Sequence, residues 1–340
     1  VKSINSLLIT ISNILLIPSV TFAACSNTAP PDDTTVTCSG SSTSPISVLG
    51  DNVTINILKG ADITSSLSVP LIDISSGNSN VIINNDGSLN KTNTTVFRIS
   101  GREITVNNNS IINHSGGFFS YILLGITGSD NIRLINQGTV NYTGIGLPGG
   151  MLAGIYATSS SNNTVINQGT MNATGFSMIG VRLQYSSFMN NQGVFNFSAD
   201  QGAAVKLENR SDSSLVNSGS IIVTDFTGTG GTAPTRYAVW SSPLLASTNT
   251  ITNTATGIIS IDQGSIAVFG SSYVEIVENQ GQIFGGLNLG ANNDRFTNTG
   301  IIVGNVELGD GDDIVITLPQ SGRLDSYEQP QGLPMLKFSV

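Results

Sequence analysis

The chain is poor in the side chains that most enzyme chemistry uses. Of its 340 residues only 10% are charged and 6% aromatic, and it holds one histidine, one tryptophan and two cysteines. His114, in Asn113-His114-Ser115-Gly116, has no second His or Cys with which to hold a metal. By residue type it could join a Ser-His-Asp arrangement, but no Gly-x-Ser-x-Gly elbow is present, so catalysis through it is not expected. Thirteen Lys and Arg stand against 22 Asp and Glu, a net charge of −9, with neither a basic cluster nor a basic aromatic face. A phosphate backbone needs cations gathered in a patch, so nucleic acid is excluded as a partner. Past the first 23 residues no stretch of any length shows the apolar spacing of a helix.

What fills the chain instead is Ser, Thr, Asn and 38 Gly, so solubility comes from neutral polar groups. Among them one phrase recurs. Asn-x-Gly stands at Asn85 to Gly87, Asn136 to Gly138, Asn167 to Gly169, Asn191 to Gly193, Asn217 to Gly219, Asn279 to Gly281 and Asn298 to Gly300, with a stretched copy from Asn253 to Gly257. Two residues before each Asn and two after each Gly the residue is apolar, as with Val165 and Met171. From Gly138 onward the glycines follow at 31, 24, 26, 38, 24 and 19 residues, the range in which repetition means a solenoid or an array. Apolar residues alternate within a period, as in Thr139-Val140-Asn141-Tyr142, and three short strands fit between corners.

Three strands per turn describe an all-β, parallel β-helix of about eight or nine coils stacked at roughly 4.8 Å. In such a stack Val140, Met171, Phe195, Ile221, Ile259, Ile283 and Ile302 form one inward file. The corner phrase suits a turn, because Gly tolerates positive φ and Asn tolerates the left-handed region. Equivalent Asn amides on successive coils can also pair in a ladder, so Asn136, Asn167, Asn191, Asn217, Asn279 and Asn298 are expected to be structural. The same holds for Gly138, Gly169, Gly193, Gly219, Gly281 and Gly300.

At the N-terminus, Lys2 precedes an apolar stretch over residues 7–20 that ends in Thr21-Phe22-Ala23-Ala24. A positive start, a short apolar core and small residues predict a signal peptide over residues 1–23, hence export through the inner membrane. Cys25 and Cys38 then enter an oxidising compartment and are expected to form a disulfide that pins an N-terminal cap over residues 24–50. The competing reading acylates Cys25. The coil stack is expected over residues 51–318, followed by an irregular tail over residues 319–340 containing Pro319, Pro330 and Pro334.

Three pieces of the chain resemble the passengers of pertactin-like bacterial autotransporters. These are Thr34-Thr35-Val36-Thr37-Cys38-Ser39-Gly40, the Asn-Gln-Gly corners, and the run from Gly285-Gly286-Leu287-Asn288-Leu289-Gly290 to Leu308-Gly309-Asp310-Gly311-Asp312-Asp313. The resemblance implies a right-handed β-helix at the cell surface or released from it, and an outer-membrane barrel as translocator. About a dozen barrel strands cannot fit in the residues after Ile316, so this chain is expected to be an N-terminal fragment, a truncated gene product or a passenger acting without its own translocator.

Gly309-Asp310-Gly311-Asp312-Asp313 looks like half of a calcium-binding toxin repeat, with an imperfect copy at Gly290 to Phe296 that puts Asp294 one coil from Asp313. Calcium wants about six to eight oxygens from facing half-turns, and the facing half-turns are missing, so no metal is expected at Asp294, Asp310, Asp312 or Asp313. Arg182, Lys206, Glu208 and Arg210 make the densest charged group, which reads as a solvated face. The segments 144–150 and 227–235 read as loops extruded from the stack. The expected function is a surface rod that binds a host or bacterial surface protein or glycan, without catalysis and without a cofactor. A polysaccharide-processing β-helix enzyme and a filamentous adhesin exported by a separate partner are the alternatives.

Overall fold

In the computed structural model, residues 25–317 are described except for residue 76 and the stretches 117–120, 128–129, 145–151, 159–160, 209–211, 226–234 and 243–246. The expected signal peptide, residues 318–340, Arg210 and nearly all of segments 144–150 and 227–235 lie outside the described residues.

The described chain is all-β and forms a parallel β-helix. One face is a twelve-stranded parallel sheet, from Thr35–Cys38 at one end to Ile314–Thr317 at the other, with one strand per coil. A twenty-stranded parallel sheet supplies the other two faces, in some coils as one long strand such as Thr170–Leu183. Twelve strands at the usual spacing place the ends roughly 50 Å apart. The Asn-x-Gly phrase marks eight of these coils. The remaining four pass the same corner with Cys38, Ile57, Asn108-Asn109-Ser110 or Thr317, which no single phrase connects.

Alternation along each strand turns every second residue inward, and in-register stacking gathers those residues into one file per face. On the first face the file runs from Val36 through Ile83, Val165 and Leu215 to Phe296 and Val315. On the second it links Val140, Met171, Phe195, Ile221, Ile259, Ile283 and Ile302 by direct register, all buried. The third file includes Phe97, Val181, Val205, Val239, Val268 and Val306. No coil could bury its own apolar set, whereas each full burial in the stack contributes about 1.5–3 kcal/mol.

The corners hold for reasons the phrase only partly reveals. Asn167 donates to the amide oxygen of Asn191 at 2.7 Å, and Asn191 donates to Asn217 at 2.8 Å. The ladder continues from Asn85 to Asn298 through buried side chains. The corner glycines are not left-handed, contrary to the positive-φ argument. They are glycine because the coils come too close: a Cβ on Gly193 would sit 2.0 Å from the carbonyl oxygen of Gly169, and one on Gly219 equally close to that of Gly193. Left-handed residues instead occupy another corner, two positions before the first-face strands, at Asn52, Asn80, Asn131 and Asn162. Cys25 and Cys38 are bonded, closing the first coil onto the segment before it.

Candidate functional site

A parallel stack superposes outward residues as strictly as inward ones. On the third face, Arg182 pairs in register with Lys206, Lys206 with Trp240, Trp240 with Phe269, Phe269 with Asn288, and Asn288 with Glu307. These are neighbours of the inward valines Val181, Val205, Val239 and Val268, so the pleat sends them outward. Six residues scattered over more than a hundred positions thus become one strip along the rod.

The strip is built as a set of linked contacts. Glu208 accepts from Lys206 Nζ at 3.0 Å, pairs with Arg182, and accepts from Gln184 Nε2 at 3.1 Å. Burial pushes the Glu208 carboxyl up, but the Arg182 hydrogen bond and the Lys206 and Arg182 charges outweigh it and hold the group below its ordinary range. Burial lowers the Lys206 ammonium, against the opposing pull of Glu208. That ammonium lies 3.8 Å from the centre of the Trp240 ring, a cation–π contact worth about 0.5–2 kcal/mol. Tyr237 stacks on Phe269 at 4.6 Å and meets Trp240 at 5.9 Å in a tilted pair. Trp240, Tyr237 and Phe269 all remain partly exposed. Beyond Phe269 the strip enters an open groove of about 430 Å³ lined by Gln263, Ser265, Asn288, Asn305 and Glu307, where Asn288 donates to Glu307 at 2.9 Å.

The sequence singled out Arg182, Lys206 and Glu208, and the structure brings these three together. It did not find Trp240, Tyr237 or Phe269, because intervals of 24, 34 and 29 residues between successive rungs carry no visible period.

Two further groups of titratable residues lie inside the stack. Lys91, His114 and Tyr142 follow one another in an inward file. The Lys91 ammonium is bonded to the Leu67 and Ser65 carbonyls, and burial lowers its pKa. His114 Nε2 donates to the Thr94 carbonyl at 2.8 Å, and burial brings its pKa down to about 4. Both side chains cap turn carbonyls.

The second group is a polar seam at the corner preceding the first-face strands. Val53, Val81, Ile104 and Ile132 fill this position in the earlier coils, then Asn163, Ser187, Ser213, Asn249, Glu275, Asp294 and Asp313 succeed them. Asn163 accepts from the Ile132 amide, Asn249 from Ser213, Asp294 from Glu275 at 2.7 Å and Asp313 from Asp294 at 2.9 Å. Ser241 and Ser271 hydroxyls donate to Glu275. Burial raises the pKa of both Glu275, to about 7, and Asp294, to about 8; the Glu275 charge adds to the rise at Asp294, whereas hydrogen bonds from Ser241, Ser271 and Asp294 partly offset it at Glu275. Of the Asp side chains in the toxin-like segment and its copy, Asp294 and Asp313 are therefore bonded to backbone amides along the stack. Asp310 and Asp312 are exposed, and among the described residues no group of three or more His, Cys, Asp or Glu is placed to hold a metal.

Comparison of the chain with known protein families, with curated proteins and with solved structures finds no match.

Proposed function

We propose that this chain is an exported cell-surface rod, the passenger of an autotransporter-type display system, which binds a surface partner through its lateral faces without chemically changing it. The observation that carries this reading is the third-face strip. It gathers the only tryptophan of the chain with two other aromatics, two cations and two carboxylates, Glu208 and Glu307. Binding energy concentrates in such residues, with Trp, Tyr and Arg foremost. The coil stack supplies a rigid spacing for such a surface.

The enzyme alternative has one observation in its favour, the raised pKa values of Glu275 and Asp294. Both side chains are fully buried within the corner seam, however, and a polysaccharide cannot reach an acid sealed between coils.

The test displays residues 24–340 on a non-adherent bacterium through a supplied outer-membrane barrel. Clumping or attachment to cells should rise, and deleting residues 227–235 should reduce it while the β-sheet circular dichroism stays unchanged. No attachment, together with depolymerisation of a surface polysaccharide, would move the chain to the enzyme class.

A further inference from the structure

We propose that the strip running from Arg182 through Trp240 and Phe269 to Asn288 and Glu307 is a binding site for an uncharged linear glycan lying along the rod axis. The proposal deepens the surface-rod reading and rests on it. Three features select this ligand. The first is spacing: consecutive rungs repeat at roughly 4.8 Å, a length comparable to one sugar residue, so Trp240, Phe269, Asn288 and Glu307 on successive coils meet successive sugars of an extended chain, with Lys206 buried against Trp240.

The second is side-chain chemistry. A pyranose offers an apolar C–H face and a rim of hydroxyls. Trp240, Tyr237 and Phe269 are partly exposed, and the ring surface left uncovered by the Tyr237–Phe269 stack and by Lys206 offers apolar contact to that C–H face. In the adjoining groove, the amides of Gln263 and Asn288 can give and accept the hydrogen bonds that hydroxyls need, and the Glu307 carboxylate can accept them. A protein partner would be anchored by an enclosed apolar pocket, whereas this groove is open and sets polar side chains among Ile266, Leu287 and Val303.

The third is charge. Arg182 and Lys206 are matched internally by Glu208, and Glu307 stands at the far end of the strip. The strip therefore has no excess of cations to capture a polyanion, and the chain as a whole carries −9.

Trp240 is the only tryptophan, so the intrinsic indole emission of the whole chain reports on this site alone. The purified chain would be titrated with cellohexaose, chitohexaose and hexagalacturonate while its emission is followed. At least one of the two neutral hexamers should shift the emission saturably, and hexagalacturonate should not. Phe269→Ala and Asn288→Ala should each weaken that binding about tenfold with an unchanged melting temperature for Asn288→Ala, the milder surface change. Unchanged emission with both neutral hexamers overturns the proposal, as does a shift that neither variant affects or one given only by the acidic hexamer and abolished by salt. If the displayed chain still mediates attachment when this titration fails, the surface-rod reading stands and its ligand is a protein or lies on another face.

Discussion

At the scale of single residues, the interior of this rod is polar wherever a side chain can close a backbone hydrogen bond, and two of those solutions respond oppositely to pH. Neutral His114 is favoured in the folded chain, with a pKa of about 4 against an ordinary 6.5. Its contribution is complete above pH 6.5 and is lost as pH falls toward 4, up to about 3 kcal/mol. Asp294 is the reverse case. Its pKa is raised in the folded chain by burial and then by the neighbouring Glu275 charge. Its contribution is present in acid and is lost as pH rises through the raised value. Thermal melts of wild type, His114→Gln and Asp294→Asn across pH 4 to 8 separate the two. His114→Gln should flatten the loss on the acid side. Asp294→Asn should leave stability at pH 4 nearly unchanged and raise it at pH 8 by on the order of 1–3 kcal/mol, since Asn163 and Asn249 already do the same work in this seam without a charge.

At the scale of the elements, the repeated corner is a ladder of amides held between apolar files. Asn191 accepts from Asn167, donates to Asn217, and also donates to the Ser220 carbonyl at 3.1 Å. Asn191→Ala would leave buried partners unsatisfied on both neighbouring coils, at about 1–3 kcal/mol for each orphaned group. The expected loss is roughly 3 kcal/mol by denaturant melt, with faster amide exchange in Thr164–Asn167 and Ser214–Asn217 than at either end of the sheet.

This element was legible from the sequence because Asn, Gly and two flanking apolar residues recur at one corner, and alternation then dictates which residues face inward. The other corner was not. Its left-handed position is filled by Asn52, Asn80, Asn131 and Asn162 but also by Glu103 and Ser186, so no one residue type repeats. The physical role of the corner glycines was also hidden, because close approach between coils is a property of the stack and not of one turn. The third-face strip was legible only in part. Arg182, Lys206 and Glu208 stand out in a chain with few charges, whereas Trp240 and Phe269 join them only once the register is known.

At the scale of the whole molecule, the fold converts an irregular linear spacing into straight files. The inward files supply the cohesion. An outward file supplies a surface in which rare residues become neighbours. The function proposed for it is capture without conversion. The most direct measurement incubates the purified chain with bacterial or host cell-surface polysaccharide, recovers the captured fraction, and compares its chain-length distribution with that of the input. The account predicts capture of material whose length distribution and number of reducing ends equal those of the input. Shortened chains with new ends, or no capture at all, would contradict it.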